Sequence, residues 1–296
     1  MKYIRYIVNT PPKQVWQRAR RKLAGKTAAA SFTPDHPCIF VLSTGRVGSQ
    51  TLAALLSLCK NTISLHEPRP ALYKMSKTAY QYNGNIQDPV WCAAFQSLRA
   101  DLLQSALNSG YGYIETSPQA TFLAPAIAAS ISNVKFIHLV RHPVDVVRSG
   151  MRRGWYAGHP GDITRITPRE GSMEANRWDK MTPIQKNIWL WAETNRWILD
   201  FTKTLPAEDT LLLQSEKIFA GDDATLRTLF EFCSNQMPPQ QKIQRILGRQ
   251  LNRQDSGVFP SFADWSPDSL DDLHLFAGDV ASTLGYSLDP NAGLDN

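Results

Sequence analysis

Residues 43–51 of the chain read STGRVGSQT, and their types and spacing are suited to binding an anion. The two glycines allow a tight turn that directs several backbone N–H groups inward. A helix predicted to follow offers its N-terminus to the same anion. Arg46 adds a cation with a planar fork of donors, and Thr44, Ser49 and Thr51 add hydroxyl groups. The segment therefore predicts a phosphate or sulfate site.

This segment differs from the Walker A loop of ATP- and GTP-binding proteins. The Walker A pattern has four residues between its glycines, and Gly-Lys-Ser/Thr closes it. Here only Arg46 and Val47 separate Gly45 from Gly48, and no lysine follows. Magnesium-dependent nucleotide binding is therefore disfavoured. A glycine turn without a ligand is the plainer alternative, but the position after a buried strand favours a binding site.

A second pair of residues is spaced to hold another phosphate. Arg141 directly follows a predicted strand, at the carboxyl end where open α/β sheets bind ligands. Ser149 lies about two helical turns further on. Taken alone, the pair is better explained as a surface arginine and a helix serine.

Strands and helices alternate along the chain, which predicts an α/β protein with a mainly parallel central sheet flanked by helices. Short apolar segments predict strands at 38–42, 62–66, 112–116, 134–140 and 210–213. Helical periodicity predicts helices at 50–59, 91–107, 121–131, from 143, and at 185–203, 224–233 and 269–284. Residues 154–184 break the alternation with repeated Gly and Pro, which is typical of a lid or binding loop.

Composition and charge exclude several classes of protein. The 296 residues are 43% hydrophobic and 20% charged, as in ordinary globular proteins. Eight Lys and Arg and no acid fall within residues 1–30, so subtracting them from the net +6 leaves −2 for the rest. We therefore predict a basic arm over residues 1–35 and one domain over 36–290, with 154–184 as an acceptor-binding insertion. A slightly acidic body argues against nucleic acid as a partner.

The sequence also makes predictions about location, cysteines and the core. No apolar run approaches the roughly 20 residues of a membrane helix, and no signal peptide is apparent, so stable membrane insertion is not expected and the cytoplasm is the predicted compartment. Four cysteines lie far apart and predict buried, reduced thiols, with no metal site. His138 and the tryptophans at 189, 191 and 197 are predicted to belong to the core.

Several segments together resemble the sulfotransferase family, over residues 36–288. FVLSTGRVGS at 40–49 resembles the family's 5′-phosphosulfate loop, and FIHLVRHP at 136–143, continuing to Ser149, resembles its 3′-phosphate strand and helix. Further similar segments are ETSP at 115–118, LQSEKI at 213–218 and LGY at 284–286. The resemblance implies a P-loop-like fold and the co-substrate PAPS (3′-phosphoadenosine 5′-phosphosulfate), which becomes PAP, with no metal.

The resemblance also implies which residues bind PAPS. The 5′-phosphosulfate would lie on Thr44, Gly45, Arg46, Val47, Gly48, Ser49, Gln50 and Thr51. Arg141 and Ser149 would hold the 3′-phosphate, helped by Asn252 or Arg253 in a late loop. Many members have Lys where Arg46 stands, and Val47 and Gln50 replace the commoner Ser and Thr.

Sulfuryl transfer in line between two oxygens needs charge neutralisation and a base for the acceptor proton. Arg46 and the loop amides are expected to stabilise the departing phosphate. The strand that His66 and Glu67 follow should run beside the first strand and bring these side chains near the loop. Several bacterial members of the family have a carboxylate base at this position, so the resemblance implies Glu67 as the first candidate for the base and His66 as the second. Neighbours at a strand end point to opposite sides, so only one should face the site. Alternatively, Glu67 is a structural partner of Arg69 or Arg46.

The predicted function is sulfuryl transfer from PAPS to a hydroxyl or amine of a polar small molecule or natural product. Acceptor recognition is assigned to residues 69–91 and 154–184. A carbohydrate or glycolipid acceptor is the alternative, and the sequence does not determine the oligomeric state. Two other classes also stay open, namely a nucleotide-dependent phosphotransferase and a PAP-binding protein without turnover.

Overall fold

The structure is a computed structural model that describes residues 34, 36–82, 85–234, 236–249 and 259–289. Nearly all of the predicted basic arm, together with the predicted nucleotide ligands Asn252 and Arg253, lies outside the described residues.

Five parallel strands form the central sheet: β1 (Cys38–Leu42), β2 (Thr62–His66), β3 (Gly112–Thr116), β4 (Val134–Val140) and β5 (Thr210–Gln214). Their order across the sheet is β2-β3-β1-β4-β5. All five predicted strands are present, and only β5 is longer than predicted, by Gln214. The predicted parallel α/β class is thus confirmed.

The strand order corrects one prediction. We expected β2 to lie beside β1, but β3 lies between them, pairing Phe40 with Glu115 on one side and Leu65 with Glu115 on the other. The burial of the strands gives the reason. β1 and β3 are buried at every residue, whereas β2 carries Thr62 and Ser64 and is only half-buried, as suits an edge.

Eleven α-helices connect or flank the strands in the described part of the chain. They are α1 (Ser49–Leu56), α2 (Tyr73–Gln81), α3 (Pro89–Asn108), α4 (Ala124–Ser130), α5 (Pro143–Arg152), α6 (Met173–Arg177), α7 (Pro183–Thr202), α8 (Ser215–Ala220), α9 (Asp223–Ser234), α10 (Gln240–Leu247) and α11 (Pro267–Thr283). The helices α2, α6, α8 and α10 were not predicted, and a 3₁₀ turn at Pro118–Leu123 precedes α4.

The segment 154–184, predicted without regular structure, contains short helices. Besides α6 it forms 3₁₀ turns at Pro160–Thr164 and Trp178–Lys180. Local side chains stabilise them: the Ser172 hydroxyl caps α6 through the Ala175 N–H, and Arg165 donates to Asp162 at 2.9 Å. The start of α7 has a capping box of Thr182 and Gln185 with Pro183 in the first turn.

The core predictions are confirmed. Trp189 and Trp191 are buried, and the partly buried Trp197 stacks on Phe201. His138 is buried, and its Nε2 lies 2.8 Å from the Asn195 side-chain oxygen. All four cysteines are buried free thiols. Among the described residues, no helix has the length and apolarity to cross a membrane.

Candidate active site

The loop between β1 and α1 has a tightly turned backbone. Gly45, Arg46 and Gly48 have φ angles of 82°, 61° and 81°, in the left-handed region that disfavours side chains. A Cβ on Gly48 would lie only 2.2 Å from the Phe219 ring. The second glycine of the motif is therefore required both for its conformation and for the approach of Phe219.

This turn leaves a row of donors without protein partners. In the described chain, no protein group accepts a hydrogen bond from the backbone N–H groups of residues 46–51. Gly48 is the N-cap of α1 and supplies no capping side chain. Free N–H groups at the positive end of a helix bind anions. The predicted anion loop therefore has the donor set that a phosphate or sulfate needs.

Ser215 fixes this loop to the neighbouring strand. Its buried hydroxyl lies 2.7 Å from the Val47 carbonyl oxygen and 2.8 Å from the Val140 carbonyl oxygen. The Val47 side chain is itself in the core, so Val47 offers a ligand only its backbone. Sequence reasoning missed Ser215, because no local pattern shows that the start of α8 meets the loop.

A cavity of about 660 Å³ opens above the loop. The predicted site residues that line it are Thr44, Gly45, Arg46, Gly48, Ser49, Gln50, Thr51, His66, Glu67 and Arg141. Two predicted ligands, Val47 and Ser149, are not among the lining residues.

Arg46 and Arg141 lie close together in the cavity lining, and Ser149 contacts Arg46 from outside that lining. Arg46 Nε donates to the Ser149 hydroxyl at 2.9 Å, and Arg141 donates to the Arg46 carbonyl at 3.4 Å. Arg141 also pairs with Asp145 at 2.9 Å. The structure thus brings the two predicted phosphate segments together, although Ser149 contacts Arg46 and not Arg141.

Arg153 is a third guanidinium in the lining near Arg46, and sequence reasoning missed it. It directly follows α5, four residues after Ser149, and this helical spacing would have indicated the same face. Its Nε atom is buried and has no hydrogen-bond partner. Burial, the charge of Arg153 and then that of Arg141 lower the pKa of Arg46 to about 10. Crowded, desolvated guanidinium groups of this kind fit an anionic ligand.

Both His66 and Glu67 line the cavity, which corrects the prediction that only one would. Glu67 has a φ of 44°, so the chain leaves the strand conformation and its side chains no longer alternate. The Glu67 carboxylate accepts a hydrogen bond from the Tyr73 hydroxyl at 2.9 Å. Within the described residues it forms no ion pair with Arg69 or Arg46, so the alternative structural pairing is not observed.

The surroundings of Glu67 fix the tautomer of His66 and the protonation state of Tyr73. His66 Nδ1 lies 2.8 Å from the Thr116 carbonyl oxygen, a contact that requires the proton on Nδ1. Burial and the neighbouring Glu67 carboxylate raise the pKa of Tyr73 to about 12, so its hydroxyl is a donor at neutral pH.

The two segments predicted to recognise the acceptor supply part of the remaining cavity lining. Tyr73, Ser76 and Lys77 come from α2. The segment 154–184 supplies Trp155, His159, Gly161, Thr164, Arg165 and Ile166. Two other tyrosines of the region 69–91 do not line it: Tyr80 is buried and donates to Glu193 at 2.8 Å, and Tyr82 packs against Trp91.

The parallel sheet and the glycine turn at a helix N-terminus define a P-loop-like α/β protein whose loop lacks the Walker lysine. The sequence model of the sulfotransferase family matches residues 37–239, and the chain belongs to this family.

Two solved structures share the fold. The first, a sulfotransferase domain from the curacin biosynthetic pathway, has 20% identity and a TM-score of 0.53, over 86% of this chain and 100% of that one. The second, the sulfotransferase domain of the Synechococcus PCC 7002 olefin synthase, has 18% identity and a TM-score of 0.52, over 89% and 100%. No curated protein matches the sequence.

Proposed function

We propose that the protein transfers the sulfuryl group of PAPS to a hydroxyl or amine of a polar small-molecule acceptor and releases PAP. The observation that carries this proposal is the anion loop, with its unpartnered N–H groups, beside Arg46, Arg141 and Arg153 in one cavity. A donor with anionic groups at both its 3′ and 5′ positions matches this distribution of positive charge.

The residues divide into two anion sites. The loop residues 44–51 hold the 5′-phosphosulfate through backbone N–H groups and the Arg46 side chain. Arg141 and Ser149 hold the 3′-phosphate. Arg153 adds charge beside Arg46, where its buried Nε is without a partner. Binding of the donor would thus satisfy donors that the protein itself leaves unpaired.

In the proposed reaction, the acceptor oxygen forms a bond to sulfur as the bond from sulfur to the 5′-phosphate oxygen breaks. The acceptor proton passes to the Glu67 carboxylate, which Tyr73 orients. His66 is the second candidate for the base, but its Nδ1 is engaged by Thr116. The loop N–H groups and Arg46 stabilise the negative charge that develops on the leaving phosphate.

Thermal unfolding with PAP, with AMP and with ATP plus magnesium tests the nucleotide assignment. A ligand at a hundred times its Kd stabilises a protein by about 2.7 kcal/mol. In larger domains each kcal/mol of stabilisation raises Tm by about 2–4 °C. We therefore expect PAP to raise Tm by several degrees. An Arg141→Gln variant should lose much of this rise, whereas Arg148→Gln, on the following helix α5, should keep it.

Other outcomes contradict the proposal. A rise in Tm with ATP and magnesium alone would indicate a phosphotransferase. No rise in Tm with any nucleotide would refute the assignment of residues 43–51 as an anion-binding loop. PAP binding without transfer of labelled sulfate from PAPS to any acceptor would indicate a binding protein without turnover.

A further inference from the structure

Besides the loop residues, the cavity has apolar and cationic lining residues. The apolar ones include Phe122, Ile166 and Leu190, and all three are buried. Lys77 and Arg165 also line the cavity. Among the lining residues that the structure describes, Glu67 is the only carboxylate.

Arg165 has a carboxylate partner from the protein. Its Nε donates to Asp162 at 2.9 Å, and its guanidinium stacks on the Trp155 ring at 4.0 Å. The charge of Arg165 is therefore largely balanced within the segment 154–184.

Lys77 is different, because no carboxylate lies within ion-pair distance of it in the described part of the chain. Its ammonium group donates to the Ile163 carbonyl oxygen at 3.1 Å, and partial burial lowers its pKa. A partly desolvated cation that bonds only a neutral carbonyl gains most from an anionic partner.

Lys77 is also placed to act on the acceptor. It lies four residues after Tyr73 on α2, so the two side chains share a helix face about 6 Å apart at their Cβ atoms. Tyr73 in turn donates to Glu67, the candidate base. Tyr73 thus contacts Glu67 and is the neighbour of Lys77 on α2.

We propose that the acceptor is a hydroxylated carboxylic acid whose carboxylate binds Lys77 while its hydroxyl faces Glu67. This inference rests on the proposed function and names its class of acceptor. The apolar part of the acceptor lies on Phe122, Ile166 and Leu190. A single lysine matches the single charge of a carboxylate, and the neighbouring Arg165 is already paired.

Calorimetric titration of the PAP-saturated protein tests the assignment. The probes are ω-hydroxy carboxylic acids of increasing chain length and the corresponding primary amides, which keep the shape but lack the charge. We expect the best acid to bind at least about tenfold more tightly than its amide, since hydrogen bonds to charged groups are roughly twice as strong as neutral ones. Lys77→Met should reduce this ratio to near one, and Lys77→Arg should restore most of it.

Lys74 provides the matched control, because it lies on α2 but is exposed and does not line the cavity. Lys74→Met should keep the preference for the acid, and unliganded Tm values show whether each variant is folded. If PAP binds and no acid binds more tightly than its amide, the inference is refuted and the nucleotide assignment stands. The same holds if Lys77→Met keeps the preference. If the wild-type protein does not bind PAP, the proposed function itself fails.

Discussion

Glu67 owes its position to a local departure from regular structure. A non-glycine residue at a φ of 44° is uncommon, and such strained residues concentrate at functional sites. The turn brings Glu67 into the cavity beside His66, and the Tyr73 hydroxyl fixes the carboxylate. A strand that continued regularly would have directed one of the two side chains away from the cavity.

We predict that Glu67→Gln lowers kcat by about 10²–10⁴, the usual contribution of a general base. The amide keeps the shape of the side chain but cannot take the acceptor proton. The rate of PAP formation from PAPS measures the effect, and calorimetry should show an unchanged PAP affinity. The exposed Glu170, changed to Gln in the same way, serves as the control. Near-normal turnover with intact PAP binding would rule out Glu67 as the base.

Gly48 supports a second prediction for a single residue. Gly48→Ala places a methyl group 2.2 Å from the Phe219 ring and forces a side chain to a φ of 81°. We expect a loss of about 2–4 kcal/mol in the free energy of unfolding, from overpacking and left-handed strain together, and loss of the PAP-induced rise in Tm. Urea unfolding measures the stability change.

Gly110 separates the two causes, since it has a φ of 63° but no atom within 4 Å of the added Cβ. Gly110→Ala should cost only about 1 kcal/mol, from backbone strain. Phe219→Ala combined with Gly48→Ala should recover part of the loss. Equal costs at the two glycines would refute the role of Phe219.

At the scale of elements, the sequence predicts the strands better than their order. Buried strands are short apolar runs, so their bounds can be found locally, whereas the insertion of β3 between β1 and β2 depends on contacts between distant segments. The helix α2, which was not predicted, also depends on contacts with distant segments. It supplies Tyr73 and Lys77 to the cavity. The anion loop is predictable because all of its donors lie within nine consecutive residues.

A buried ion pair joins two of these elements below the site. Arg99 on α3 forms two hydrogen bonds with Glu115 on β3, at 2.7 and 2.8 Å, and neither side chain is exposed. Arg99 also donates to the Pro70 carbonyl oxygen at 2.7 Å, three residues after Glu67. The pair therefore supports the chain segment that carries the candidate base.

We predict that Glu115→Gln lowers the free energy of unfolding by about 3–5 kcal/mol, because it leaves the Arg99 charge buried and unpaired. Denaturant unfolding measures the loss. The exposed pair of Arg227 and Asp223 on α9 is the control, and Asp223→Asn should cost less than about 1 kcal/mol. Similar costs for the two pairs would contradict the structural role of Arg99.

For the whole molecule, positive charge is concentrated around one cavity, while the buried pair of Arg99 and Glu115 carries no net charge and the buried His138 is neutral above its lowered pKa. The cavity concentrates Arg46, Arg141 and Arg153, although the chain beyond its first 30 residues has a net charge of −2. The sequence predicts two of these arginines from their motifs. Arg153 is indicated only by its spacing from Ser149, and Ser215 is found only when the fold brings α8 to the loop.

His138 is the interior group that links this neutrality to global stability. It lies in β4 with its Nε2 2.8 Å from the Asn195 side-chain oxygen. Burial lowers its pKa from 6.5 to about 4. Between these two pH values the unfolded chain binds a proton that the folded protein excludes. His138 therefore costs no stability above about pH 6.5 and progressively more as the pH falls towards 4.

The cost approaches about 3 kcal/mol at the acid end of this range, since one unit of pKa corresponds to about 1.4 kcal/mol. We predict that His138→Gln, which keeps a polar side chain but cannot titrate, makes the free energy of unfolding less dependent on pH between about 7 and 5. Urea unfolding at the two pH values measures the difference between variant and wild type. His274→Gln, at an exposed position on α11, should leave the wild-type dependence unchanged. If His138→Gln also leaves it unchanged, protonation of the buried imidazole does not limit the stability of the protein in acid.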